Sequence, residues 1–363
     1  MSTTILNTGL EDMGYNLTSR LGTIKATTDK SKVDVSLSTE NGPDGDVDVF
    51  FHTTLYAFNG VVELADVGGL VEEYFRRRGL SSEMINIYID DQMIECHLLY
   101  CEYVMPGSFD VNEVFFAASH TQRVQRDSVV TIAAVNRGAT VPLVIKAVGH
   151  NADDGALAVV TREFFYPDGL SNPVQLNVAE IISWATNKTD WTPDVNLSDV
   201  LYFSVNYGSV QKLCYITPAT AHLSFSFRNI FNIEEFIDIV GDVTAKTEVE
   251  SGVAVCGGSS QLYDRSVVKS YVVKTEPLSV ADLAMVEQLL GSHQVALIAD
   301  GESFDVIITD RTCEASSDNE NLSTVSFTWQ FADNHTHRFI SMFDGIPASH
   351  RNVFSEPFSP EYE

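Results

Sequence analysis

Over most of this chain apolar positions alternate with polar ones, the two-residue period of strands whose side chains point to opposite faces. The pattern begins at Val33, Val35 and Leu37. An acidic, turn-rich stretch (residues 40–46) separates it from a run of branched and aromatic residues at 47–58, and a short run follows at 61–64. There the period changes. Val67, Leu70, Val71, Tyr74 and Phe75 fall at helical spacing, Asp66 stands where an N-cap belongs, and Gly79 follows as a stop. Two more strands are predicted over 85–90 and 93–105, and Pro106 and Gly107 end the unit.

The same grammar returns. Strands are predicted over 129–135, 141–150 and 157–167, then a short strand running into a helix over 174–185 with Asn177 as its cap. Strands at 200–208 and 210–217 follow, and Pro218 ends the unit. Tyr56, Gly60, Leu64, Asp66, Val67, Leu70 and Val71 lie over Tyr166, Gly169, Leu176, Asn177, Val178, Ile181 and Ile182, with Cys101 opposite Cys214 and Pro106 opposite Pro218. The offset drifts from about 109 to 113 residues, as loop insertions produce, and the repeated order of elements reads as an internal duplication.

A third unit differs. Leu223, Phe225 and Phe227 alternate, a hairpin or meander is predicted over 236–258, and a long strand over 263–278. Ser279 opens a helix with Asp282 three residues on, near a capping box; Leu283, Val286, Leu289 and Leu290 form its apolar face and Gly291 stops it. Three strands close the unit. The expected organisation is mainly β: an N-terminal arm (1–30), a first β domain (31–110), a second that duplicates it (111–218), a third domain (219–340) and a C-terminal arm (341–363). The duplicated domains read as small β-sandwich-like units with one helix each, and the third domain also carries one helix.

Charge narrows the function classes. Lys and Arg number 22 against 50 Asp and Glu, a formal net charge of −28. Such a surface repels phosphate backbones, so no sequence-specific nucleic-acid binding is expected. It also requires any self-assembly interface to be locally neutral, basic or cation-bridged. Five cysteines, an odd number without a compact framework, argue for free, buried thiols. The first residues have neither a basic nor an apolar signal region, and no run approaches the ~18 apolar residues of a membrane span. The expectation is assembly in a bacterial cytoplasm, release by lysis and no membrane insertion.

Candidate chemistry is sparse. There is no Walker or dinucleotide glycine loop, no HExxH and no G-x-S-x-G. His335 and His337 are the only close histidine pair, and on a strand they would share a face, but a polar loop after the last strand suits them better. The loops at 153–156 and 316–323 could hold calcium yet lack EF-hand spacing. Trp191 could be a loop aromatic for a sugar, whereas Phe225, Phe227, Phe327, Trp329 and Phe331 alternate as core residues do. Arg76, Arg77 and Arg78 could form an anion site, but in the last helical turn they complement the helix dipole. No catalytic, cofactor-binding or metal-binding residue is therefore assigned, no cofactor is expected, and the chain reads as a non-enzyme.

The segments FNIEEF (231–236), SYVVKTEPLS (270–279), QVALI (294–298), FDVIITDRTCEAS (304–316) and TVSFTWQFAD (324–333) together resemble a tail-protein pattern of phages and prophages of Bacteroides and their relatives. TTLYAFNGVVELADVGGLVEEYFRRRGL (53–80) resembles the N-terminal half of the same proteins, and the likeness covers roughly residues 33–340. It implies a virion component of the tail, similar to a distal tail or baseplate protein that forms a ring (a hexamer or trimer) between tube and tip. The implied partners are further copies of itself and other tail proteins: tube, hub and fibres. It also implies a β-barrel-like third domain as the ring former, with the duplicated domains outside it. Other readings are a host-surface or carbohydrate-binding fibre module, a tube, collar or connector protein of the same virion, and a depolymerase on a β scaffold.

Overall fold

The computed structural model describes residues 3–6, 10, 15–42, 46–103, 105–106, 109–135, 141–165, 173–187, 196–218, 223–299, 301–312 and 323–332. The first unit contains β1 (Thr3–Ile5), β2 (Tyr15–Leu17), β3 (Ile24–Thr28), β4 (Lys32–Thr39), β5 (Asp48–Tyr56), β6 (Val61–Leu64), α1 (Val67–Arg78), β7 (Ser82–Ile89) and β8 (Gln92–Leu99). Five strands form one sheet in the order β2-β8-β7-β4-β5, and β1-β3-β6 form a smaller one. Between them lie Ile24, Ala26, Val35, Leu37, Val62, Ile85 and Ile87, covered by Val67, Val71 and Phe75 of α1. The helix begins where Asp66, held in the left-handed region at φ 53°, accepts a hydrogen bond from the Gly69 amide. Gly68 lets that first turn approach the Thr18 carbonyl: a Cβ there would lie 2.5 Å from its oxygen.

The second unit contains β9 (Thr121–Val124), β10 (Val129–Ile132), β11 (Pro142–His150), β12 (Leu157–Phe165), β13 (Val174–Asn177), α2 (Val178–Thr186), β14 (Tyr202–Tyr207) and β15 (Val210–Ile216). Its large sheet runs β9-β15-β14-β11-β12 and its small one is β10-β13. Strand for strand the large sheet has the order of the first unit's, and β10-β13 corresponds to β3-β6, with no described counterpart of β1. In each, one parallel pairing (β2 on β8, β9 on β15) joins the incoming chain to the last strand. Asp66 and Asn177 both cap their helices through side-chain oxygens.

Two expectations change here. The segment 1–30, expected as an arm or an irregular first strand, supplies more than one strand: its described residues contribute β1, β2 and β3, and Leu17, Ile24 and Ala26 are buried. Alternating polar threonines disguise these as irregular chain, because only one face of each short strand is apolar. The partner of Cys214 is Cys96, not Cys101. Cys96 pairs with Ile85 across β7–β8, and Cys214 pairs with Phe203 across β14–β15. The connection after α2 is longer than that after α1, so the offset jumps past the helix instead of drifting. Tyr166 and Gly169, also used in the sequence alignment, lie outside the described residues.

The third unit contains β16 (Leu223–Arg228), β17 (Glu234–Ile239), β18 (Gly241–Cys256), β19 (Ser259–Thr275), α3 (Val280–Gly291), β20 (Val295–Ala299), β21 (Glu302–Thr312) and β22 (Ser326–Phe331). One antiparallel sheet runs β17-β16-β20-β21-β22-β19-β18. Its edge strands, β17 and β18, are separated in the chain by Val240 alone, so the sheet must curl until its edges nearly meet. They form no ladder with each other: the barrel-like expectation is realised as an open curl, not a closed barrel. Leu283, Met285, Val286, Leu289 and Leu290 of α3 pack on its core with Phe225, Phe227, Phe327 and Trp329. Trp329 stacks on Tyr271 at 4.3 Å and meets Phe225 and Phe331 edge-on. The capping box appears as expected, Ser279 and Asp282 bonding reciprocally.

Candidate functional site

β18 and β19 are the longest strands of the chain, and only their base belongs to the sheet. β22 pairs β19 over Tyr271–Lys274 alone, while β18 and β19 pair with each other out to Cys256 and Ser259. Residues 246–256 of β18 and 259–270 of β19, eleven and twelve, thus continue as a two-stranded ribbon. At about 3.3 Å per residue it reaches roughly 35 Å beyond its supported base. Its register sets its faces. Val243 and Ala245 point into the core of the third unit. Alternation places Val249, Val253 and Val255 on the same side, and Leu262 stands opposite Val253. Here there is no core beneath them: they are 51%, 59%, 73% and 59% exposed. The other face carries Lys246 and Glu248, paired at 2.6 Å. A free two-stranded ribbon is at best marginally stable in water, and an unpaired strand edge is a template for another strand. The outer edge of β18 from Lys246 to Cys256 has no ladder partner among the described strands.

The ribbon projects from a body whose units are firmly joined. The turn between β16 and β17, residues 229–233, sits at the junction. Phe231 packs with Phe109 and Phe116 in a cluster that also holds Leu17, Leu99, Val135 and Ile233. Asn232, at φ 56°, donates its side-chain amide to the carbonyls of Phe75 and Leu80 in the first unit. Toward the second unit, Lys212 and Glu235 form an ion pair at 3.1 Å with side chains 0% and 2% exposed. Glu235 also accepts from the Ala118 amide and from Asn229. Asp238 accepts from Ser128 of the second unit and from Ser224.

Burial pushes the Asp238 carboxyl above its ordinary value of 3.8, and the two serine hydroxyls offset only part of this. A carboxyl harder to ionise when folded favours the folded state fully below its unfolded pKa. That contribution is lost as pH rises through the folded pKa. Asp238→Asn, equal in shape and uncharged, is expected to escape the loss. In urea titrations at a series of pH values, the variant's midpoint should exceed the parent's above the folded pKa. The gap should close as pH falls to about 3.8; a gap independent of pH would show that the carboxyl does not titrate this way.

The remaining sequence candidates are occupied by structure. Arg76 bonds the Tyr100 hydroxyl and faces Glu102, Arg77 pairs with Glu73, and Arg78 pairs with Asp48. The triplet is therefore matched by carboxylates at each position. In the loop after β11, the Asn151 and Asp154 side chains accept from the amides of Asp153 and Ala156, closing their own turns. Cys96, Cys101 and Cys214 are free and buried; burial raises all three thiols, Cys96 and Cys214 to about 12, which keeps them protonated and unreactive. Among the described residues no three metal-ligating side chains cluster, and no helix is long and apolar enough to cross a membrane. His335, His337, Trp191, Cys313, the loop 316–322 and the C-terminal arm 341–363 lie outside the described residues. The ribbon and the joint residues were missed as functional features because a strand's length beyond its sheet is a property of its neighbours.

No protein-family model matches the chain, and no curated protein matches it.

Proposed function

We propose that the chain is a ring-forming structural component of a bacteriophage tail, a distal tail or baseplate protein joining the tube to the tip and its fibres. The observation that carries the assembly part is the β18–β19 ribbon: a long, one-sidedly apolar extension with an unpaired edge, projecting from a body braced at its joints. Such an extension is a liability in a monomer and an asset in an assembly, where a neighbour covers it. The virion part rests on the tail-protein resemblance of residues 33–340. The formal charge of −28 suits a part that must not bind passing DNA.

Native mass spectrometry across a concentration series, with negative-stain images of the same samples, tests the reading. Closed hexamers or trimers with a central hole are the expected result, and shortening the ribbon by removing residues 247–268 is expected to leave monomers. A compact monomer at every concentration would overturn the assembly reading.

A further inference from the structure

The duplication provides an internal control for finding where the ribbon docks. In each unit the large sheet ends in a strand, β5 or β12, that lies beside the helix and has no ladder partner on its outer edge among the described strands. The hairpin turns after Ile89 and Tyr207 fix the correspondence: Val35 and Leu143 pair with those residues, and with Thr53 and Phe164 on the other side. Phe51 therefore corresponds to Arg162, and the capped helix starts place Glu73 against Trp184. In the second unit the seam between edge strand and helix is sealed. The Arg162 guanidinium lies 4.7 Å from the Phe164 ring and 5.8 Å from that of Trp184. In the first unit those positions are Phe51 and Glu73, and the seam is a cleft of about 360 Å³. Phe50, Phe51, Leu70 and Tyr74 supply its apolar lining, and Asp66, Glu73 and Arg77 its rim. Phe50 is the extra residue at a bulge between Leu37 and Ser38, with no counterpart in the second unit, and it stacks on Tyr74 at 4.0 Å.

We propose that this cleft and the β5 edge receive the β18–β19 ribbon of a second copy of the chain, an inference that rests on the assembly reading above. The two surfaces complement each other: an unpaired edge with an apolar side on the ribbon, and an unpaired edge beside an apolar slot on the body. The ribbon's 23 residues, of which one face and one edge would be covered, set the upper limit of its contribution, against the roughly 20–30 residues per side of a standard stable interface. Arg77 on the cleft rim, and Arg76 and Arg78 in the same helical turn, are each paired with a carboxylate of their own unit, so the contact rests on the strand edges and the apolar slot and not on a charge difference. Ribbon and cleft are different surfaces, so the contact is head-to-tail and propagates until it closes as a ring.

The test fills the cleft as the second unit fills its own. Glu73→Trp, at an exposed helix position, is expected to weaken self-association of the full chain by about tenfold or more, as loss of a central anchor does. Val253→Asp on the ribbon should do the same and preserves the test if the tryptophan variant misfolds. Mixing Glu73→Trp with the ribbon-shortened chain should give one-to-one dimers and nothing larger, since one partner keeps only its ribbon and the other only its cleft. Parent rings that persist unchanged in both point variants would overturn the docking site and leave the assembly reading standing. A parent that never associates would overturn both.

Discussion

Replacing Lys212 with methionine is expected to lower stability by about 3–5 kcal/mol, read as a fall in the urea midpoint with little change in slope. The side chain is fully buried, and its ammonium group donates to Glu235 and to the Thr131 carbonyl at 3.3 Å. Taking two charges out of water is costly, and their attraction only compensates while both are present. The variant leaves the Glu235 carboxylate buried with the Ala118 amide and the Asn229 side chain as donors, which cannot neutralise a charge. Adding Glu235→Leu removes that charge, so the double variant should recover part of the loss. Recovery should be incomplete, because the Ala118 amide then goes unmatched at about 1–3 kcal/mol and the Asn229 side chain keeps only its bond to the Phe116 carbonyl. A double variant no more stable than Lys212→Met would show that the hydrogen bonds, and not the charge, hold this joint.

How far the sequence reveals this architecture depends on the range over which each feature is determined. Local features were legible. Val33, Val35 and Leu37 announce β4 by period, Asp66 and Asn177 announce their helices by capping, and Ser279 with Asp282 announces α3 by a reciprocal cap. The repeat was legible through the same caps, since a duplicated helix start is a strong local marker. Its last third was misregistered because Cys101 and Cys214 lie in similar apolar runs, and only cross-strand pairing shows that Cys96 faces Ile85 as Cys214 faces Phe203. Strands whose partner is distant were read poorly. β2 and β9 are three and four residues long and exist through parallel pairing with the last strand of their unit. The cleft was invisible for a related reason: Glu73 on a helix surface reads as a solvated charge. Its meaning emerges only when its structural counterpart, Trp184, is seen covering the same seam.

Phe231→Ala is expected to cost about 3–5 kcal/mol, the range for deleting a buried aromatic ring, and to do something an ordinary core truncation does not. Phe231 belongs to the turn between β16 and β17 in the third unit, yet its ring stacks on Phe109 and tilts against Phe116, which lie on the segment joining the first two units. The same turn carries Asn232, bonded to Phe75 and Leu80 of the first unit, and Ile230, whose carbonyl accepts from the Glu102 amide. The cavity would therefore open where all three units meet, outside the private core of any of them. Hydrogen exchange followed by mass spectrometry should show the slow amides of β7 and β8 losing protection relative to those of β20–β22, as the first unit acquires its own opening reaction. Phe327→Ala provides the contrast: it empties a comparable volume in the third unit's core and should leave the exchange of β7 and β8 unchanged at low denaturant. If the two variants shift the same amides by the same amount, the turn is only one more part of a single cooperative core. If they differ as expected, residues 229–233 are the joint that keeps the cleft of the first unit and the ribbon of the third in a fixed relation. Head-to-tail contacts between copies require that rigidity if they are to close on a ring of one size instead of growing open chains.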